Sequence, residues 1–445
     1  MEILSLSGIF VGLILMIFLT YKGHSIIWVA PLCSLIAALF ALGSGLGEGR
    51  TFLSVYTVDY MTGVGEYFIS WFPVFFLGAI YGTVMNKTGA AKALADLIIR
   101  KIGSRFVVLA VLIPCMLLTY GGVSLFVVVF IMYPMGRAIY RAANVPRELL
   151  PSVIAFGSLG ITMTCIPGSP QIQNLIPMEY FGTTAAAGPW LGLTASLMVG
   201  IPGYFYLDYK VRKARKEGLG FLEAEHDRQT KESIIQTPSW MWAGGLVPLI
   251  IVFVTLNVLK WNVLVSLSAG IVVCCLFGWK QIRLLSSALT ESAKSSVTAI
   301  MNSASAVGFG SVIRSVTGFA LLTRLLFGSG TSPFSLLLSE TMSTCVLSGA
   351  TGSASGGLSI ALSTFADRYL ELAKPLGISP ELLHRFAAIA AGSLDKLPHN
   401  GAIITLLAVS GCTHKESYKD IFVVSVIIPM LVLWILIIIW GLFIL

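Results

Sequence analysis

The stretch GSLDKLPHNGAI spans residues 392–403, between the apolar runs FAAIAA (386–391) and IITLLAV (403–409). Proline removes a helical N–H and frees the carbonyl four residues earlier, so Pro398 frees that of Leu394. Asp395, Lys396, His399 and Asn400 surround it. Such groups are costly in an apolar medium unless they are bonded. A proline with polar companions inside an apolar run predicts a helix broken at membrane depth, where free carbonyls and split-helix dipoles make sites for ions and substrates.

Composition supports a membrane setting. The chain has 445 residues, 56% hydrophobic and 11% charged. Its mean hydropathy is +0.87. Soluble domains carry about 25% charged residues, so a large soluble enzyme is excluded and an all-α polytopic membrane protein is expected. The formal charge of +8 fits basic loops on the cytoplasmic side rather than nucleic-acid binding. The seven cysteines show neither metal nor redox spacing.

Expected spans are 3–21, 25–45, 68–86, 187–208, 240–258, 261–278 and 420–445, with interrupted spans near 148–183, 297–315 and 381–411. The first run is long enough to span and reads as no cleavable leader. One long polar segment, 209–238, opens with Lys210, Arg212, Lys213, Arg215 and Lys216. It reads as a cytoplasmic linker between two halves, 1–208 and 239–445, and it places the N-terminus outside. Trp28, Trp71, Trp190, Trp240, Trp242, Trp261 and Trp279 read as interface anchors.

The halves repeat. GGVS at 121 precedes GSL at 157 by 36 residues, and GGLS at 356 precedes GSL at 392 by 36. PRELL (146–150) answers SPELL (379–383), and KTGAAKALADLI (87–98) answers VTGFALLTRLLF (316–327). Basic residues dominate the first-half region, whereas the second-half region mixes both signs, so the repeats are expected to be inverted. Each carries an apolar stretch with a Gly/Ser centre, 105–140 around TYGGVS (119–124) and 331–368 around SGATGSASGGLS (348–359). These read as re-entrant hairpins whose non-helical tips line a cavity. A broken helix follows each, at about 148–183 with TCIPGSPQIQN (164–174) and about 381–411 with DKLPHNG (395–401). The segments 88–103 and 317–329 read as interfacial amphipathic helices, while Glu340, Asp367 and Arg368 read as a solvated rim and Glu148 and Glu381 as helix-start acids.

This pattern resembles the ion-transporter superfamily, and within it the gluconate permease family of gluconate/proton symporters and related hydroxy-acid permeases. LPHNGA is the most specific segment, and YGGVSLFVVVF looks closer to a hydroxybutyrate-permease-like branch. The resemblance implies an elevator-type, dimeric transporter in the cell (inner) membrane. It implies substrate binding by Gly121, Gly122 and Ser124 with Ser169 and Asn174, and by Ser355, Gly356, Gly357 and Ser359 with His399 and Asn400. The Ser-Asn-Thr hairpin signature of sodium-coupled dicarboxylate relatives is absent, and their Gly-Thr-Pro is here Gly-Ser-Pro.

Moving one negative charge inward against −100 mV costs about 2.3 kcal/mol. Co-import of a proton removes that cost, so a titratable group near the site is expected. Asp395 is assigned to proton coupling or to orienting His399, His399 to substrate contact or protonation, and Asn400 to substrate hydrogen bonds. Lys396 either attracts the carboxylate or has a structural role, snorkelling to an interface or forming an ion pair. Proton-driven import of gluconate or a short hydroxy acid is expected, with no cofactor and no metal. The alternatives are a sodium-coupled or exchange carrier, a channel, and an intramembrane hydrolase built on Ser393, Asp395 and His399. No GxxxxGK[ST] loop is present, which argues against a primary pump.

Overall fold

In lipid, backbone polar groups find partners only within the protein, and a helix bonds all of its own. The computed structural model describes residues 2–22, 24–42, 51–123, 125–222, 238, 240–279, 285–327, 332–398 and 400–444, and these contain helices and no strand. Ser124 and His399 lie outside the described residues, as does half of the 209–238 segment, from 223 to 237.

The helices are α1 (Glu2–Tyr21), α2 (Ile26–Ala41), α3 (Phe52–Lys87), α4 (Ala90–Ile102), α5 (Val107–Tyr120), α6 (Leu125–Ala142), α7 (150–161), α8 (Ile172–Phe181) and α9 (Pro189–Lys216). The second half continues with α10 (Met241–Val258), α11 (Val263–Phe277), α12 (Leu285–Ser315), α13 (Gly318–Phe327), α14 (Pro333–Thr351), α15 (Ala354–Ala373), α16 (Pro380–Leu394), α17 (Gly401–Ser410) and α18 (His414–Ile444). Six of the described helices are long and apolar enough to cross a membrane (α1, α3, α9, α10, α12 and α18). The chain is a multi-pass membrane protein.

Both hairpins form. Limb α5 ends at Tyr120 and limb α6 begins at Leu125, and limbs α14 and α15 meet at Gly352 and Ser353. Gly352 takes a φ of +59°, a left-handed conformation open to glycine, and Ser353 caps α15 by accepting from Gly356 N–H. The second tip is therefore shorter than the Gly/Ser-rich run, and Ser355, Gly356, Gly357 and Ser359 lie in the first turns of α15. A Cβ on Gly357 would stand 2.1 Å from the Ser348 nitrogen, so this glycine lets the two limbs touch backbone to backbone. Both broken helices also form: α7 and α8 flank 162–171, and α16 and α17 flank 395–400.

The packing is reciprocal. Limb α15 of the second hairpin packs on α8, the back half of the first broken helix. Limb α6 of the first hairpin packs on α17, the back half of the second. Around them, α12 lies against α3 and α2, and α10 against α11 and α4. Small residues make the α3–α12 approach close: a Cβ on Gly63 would stand 2.2 Å from Ser311 Oγ.

Several expectations are corrected. The stretch 297–315 is not interrupted, because α12 is one unbroken helix and its Ser/Gly-rich run packs against α3 and α15. Helix α9 continues to Lys216, so the cluster from Lys210 sits on a helix end, where cations face the negative pole of the dipole. Helix α3 starts at Phe52 rather than near 68. Trp71 is buried, unlike the other six tryptophans expected at the interface. Helix α4 does turn sharply, by 99°, before the segment that enters the first hairpin.

Candidate functional site

The second break is tied to the second hairpin tip by Asn400. Its Nδ2 donates to the Asp395 carbonyl (2.8 Å) and to the Gly352 carbonyl at the tip (3.0 Å). Its Oδ1 accepts from Ala402 N–H (2.7 Å) and Ile403 N–H (3.0 Å), which caps α17. All its bonding capacity is met by protein, so in this conformation Asn400 acts as a clamp and has no free amide hydrogen for a substrate. Replacing it with Ala is expected to remove about 3 kcal/mol of stability. Asp keeps the helix cap but not the two donors, and is expected to lose about half as much. Thermal unfolding of the purified protein measures both.

Beside the clamp lie Asp395 and Lys396. Lys396 is fully buried and Asp395 nearly so, and Nζ stands 3.1 Å from Asp395 Oδ1. Nζ also donates to the Gly392 carbonyl, and the Lys396 carbonyl accepts from the Tyr418 hydroxyl (3.0 Å). Lys396 is thus a buried paired cation, not a side chain reaching out to an interface. Ser393 Oγ is engaged by the Ile389 carbonyl (3.1 Å). His414 Nε2 lies 3.0 Å from the carbonyl of Pro398.

The first break is tied to the first hairpin in the same manner. Gln171 Nε2 donates to the Thr119 carbonyl (2.6 Å), and the Tyr120 hydroxyl donates to the Pro167 carbonyl (3.1 Å). Gly122, at φ +96°, sits where a Cβ would be 2.9 Å from Pro170 Cγ. A Cβ on Gly121 would strike Leu249 of α10 at 1.7 Å. These two glycines therefore allow close approach at the tip.

Asn174 mirrors Asn400. It is fully buried, and its Nδ2 donates to the Ser169 carbonyl (2.8 Å) and the Ala185 carbonyl (2.7 Å). Each asparagine thus spans its break to the carbonyl five residues earlier. The Ser169 hydroxyl is buried with no partner. Ser355 Oγ lies near Ser303 Oγ of α12 (3.1 Å) and Ser353 Oγ (3.3 Å), and Ser359 donates back to the Ser355 carbonyl (2.7 Å). Ser169 and Asn174 therefore share one cluster, and Asp395 and Asn400 another, while Ser355 faces α12.

Three residues missed in the sequence join the first break. His384 and Arg385, both fully buried on α16, face it. His384 Nε2 stands 3.4 Å from Asn174 Oδ1, and Nδ1 stands 2.6 Å from Thr183 Oγ1. Asn174 has already committed its N–H groups, so its oxygen must accept and a neutral His384 carries its proton on Nε2. Asn257 of α10 donates to the Gly168 carbonyl (2.8 Å). The available signal was HR within the otherwise apolar PELLHRFAAIAA, since ionisable side chains inside spanning helices mark function or pairing.

Glu340 also departs from expectation. It was read as a solvated rim residue, yet it is fully buried on α14, with no hydrogen-bond partner for either carboxyl oxygen. Asp367 and Arg368 are exposed as expected, with Arg368 paired to Glu371 at 2.6 Å.

The two clusters flank α16. Arg385 lies on α16, and Lys396 lies two residues beyond its end at Leu394. Gly392 lies between them, where a Cβ would be 2.4 Å from Thr164 Oγ1 of the first break. Each broken segment thus has one buried cation beside it, Arg385 on α16 at the first and Lys396 within the second, an arrangement suited to holding an anion away from water.

Comparison with known proteins agrees with this architecture. Residues 4–289 match the family described as GntP family permease. The chain is 36% identical to the uncharacterized transporter YxjC of Bacillus subtilis (strain 168), over 94% of this chain and 95% of the relative. The fold is similar to that of the YdaH transporter of Alcanivorax borkumensis, with a TM-score of 0.59 at 16% identity, covering 85% of this chain and 87% of that one. It is also similar to MtrF of Neisseria gonorrhoeae, with a TM-score of 0.58 at 14% identity and 94% of each chain covered. These relatives are transporters and not enzymes, which removes the hydrolase alternative. The chain belongs to the GntP family of permeases.

Proposed function

We propose that the protein is a proton-coupled importer of a small organic anion, either gluconate or a short hydroxy acid of the 3-hydroxybutyrate type. The observation that carries this reading is the buried Asp395–Lys396 pair in the broken segment between α16 and α17. A proton on Asp395 neutralises the partner of Lys396 and shifts the site's charge by one unit.

Charge counting supports a one-to-one cycle. Among the described residues at the two breaks, the ionised side chains are Arg385, Lys396 and Asp395. The empty carrier with Asp395 ionised bears one net positive charge there. The loaded carrier, with Asp395 protonated and one carboxylate bound, bears the same. The two crossings then carry the same charge in opposite directions, so the membrane potential does no net work over the cycle. Gly121, Gly122, Ser124, Ser169, Asn174, Ser355, Gly356, Gly357, Ser359, His399 and Asn400 make up the proposed binding region, with Asn400 acting as its clamp and His399 retained as a second proton site. No cofactor enters the cycle.

The two halves are read as inverted repeats, and the reciprocal packing of α15 on α8 and α6 on α17 supports that reading. We place the basic end of α9 in the cytoplasm and the protein in the cell membrane as a homodimer. Hairpins and broken helices are proposed to move together as an elevator against the other helices. Uptake of labelled gluconate, 3-hydroxybutyrate, lactate and citrate into proteoliposomes tests this, under an imposed proton or sodium gradient. Proton-driven uptake of a hydroxy acid is expected; uptake driven by sodium alone would refute the coupling.

A further inference from the structure

We infer that Arg385 is the anchor for the substrate's carboxylate, with the Ser169 hydroxyl beside it. This deepens the proposed anion import and rests on it.

Arg385 is the largest fully buried side chain among the described residues. Its Nε donates to the Ala187 carbonyl (2.9 Å), and its Nη2 donates to the carbonyls of Ala187 (2.7 Å) and Ala185 (3.3 Å). Its Nη1 has no partner. No carboxylate among the described residues pairs with it. A guanidinium stays charged in proteins, and a buried charge without a counter-ion is costly. The neighbouring cation, Lys396, already has Asp395. Arg385 is the charge left over.

The Ala185 carbonyl fixes the anchor's place in the first break. It accepts from Gly168 N–H (2.8 Å), Asn174 Nδ2 (2.7 Å) and Arg385 Nη2 (3.3 Å). Asn174 Nδ2 also holds the Ser169 carbonyl (2.8 Å), which brings the unpartnered Ser169 hydroxyl into the same cluster. Two glycines make room for the arginine. A Cβ on Gly188 would stand 2.8 Å from Arg385 Cβ, and one on Gly192 would stand 3.2 Å from Arg385 Cδ and 2.7 Å from the Cys165 carbonyl. The fold therefore presses a positioned guanidinium, with both Nη1 hydrogens unpaired among the described residues, against a broken helix that also offers a free hydroxyl. In the inferred complex, one carboxylate oxygen accepts from Nη1–H and the Ser169 hydroxyl donates to either oxygen.

The test is competition between an acid and its neutral amide. Wild type, Arg385→Lys, Arg385→Gln and Ser169→Ala are reconstituted. Uptake of labelled 3-hydroxybutyrate, gluconate or lactate is then competed with the unlabelled acid and with its carboxamide. Wild type is expected to select the acid strongly. Arg385→Gln is expected to raise the acid's KM at least about tenfold and to collapse the acid-over-amide ratio. Arg385→Lys keeps the charge but not the fork, and is expected to fall between the two. Ser169→Ala, which breaks no existing bond, is expected to weaken the acid several-fold and keeps the test informative if the arginine variants do not fold. A merely structural arginine would lower turnover for every ligand and leave the ratio unchanged. Uptake by wild type with unchanged ratios in the folded variants overturns this assignment alone. Absence of uptake of any acid by wild type overturns the importer reading and the assignment together.

Discussion

Asp395→Asn is expected to abolish accumulation driven by a proton gradient while preserving exchange of labelled for unlabelled substrate. Asn is neutral at every pH, so the site stays in the charge state of the protonated carrier and cannot exchange a proton at residue 395. Exchange needs only the loaded carrier to cross and return. Net uptake needs the empty carrier to return, and that form would now carry two unbalanced cations, Arg385 and Lys396. One proton per substrate allows about tenfold accumulation for each unit of pH difference. Wild type should approach that ratio and the variant should stay near one. Equal accumulation by both would remove Asp395 from coupling.

The largest effect on folding is expected at Gly357. A Cβ there would lie 2.1 Å from the Ser348 nitrogen and 2.2 Å from its Cα, and backbone atoms cannot swing aside as a side-chain tip does. Gly357→Ala must therefore part α14 from α15 along the hairpin, with a loss of at least about 3 kcal/mol. Gly401 is the contrast: a Cβ there meets nothing within 4 Å, and the residue opens α17. Gly401→Ala is expected to be neutral or to stabilise by up to about 1 kcal/mol. Thermal unfolding of the two variants in one detergent compares them directly. Similar midpoints would mean that the limbs do not touch as described.

Much of the architecture was legible because breaks in lipid-compatible sequence are rare and chemically loud. Pro398 with Asp395 and Asn400, and Pro167 and Pro170 with Ser169 and Asn174, marked both broken helices within a few residues. Gly/Ser density was a poorer guide. It placed the second tip over twelve residues where the turn needs Gly352 and Ser353, and it interrupted α12, where small residues serve helix contact instead. Composition reports that a backbone approach is close, not whether it is a turn or a crossing.

The site was legible only in part, for a related reason. Asn400 stood out as polar, but its partners Gly352 and Asp395 lie at different distances along the chain, so its role as a clamp required the fold. His384 and Arg385 fall near a helix start, where charged residues are ordinary. Only the packing of α16 against α8 carries them into the interior. Glu340 was likewise read by its place in the chain rather than by the helices α15, α16 and α18 that cover its own helix.

The most direct test of the central claim is uptake at a fixed pH gradient, with and without an inside-negative potential of about 100 mV. One proton on Asp395 balancing one substrate carboxylate predicts the same accumulation under both conditions. An uncoupled anion would accumulate roughly 50-fold less under the potential. That loss, or a gain of similar size from extra cations, would contradict the account.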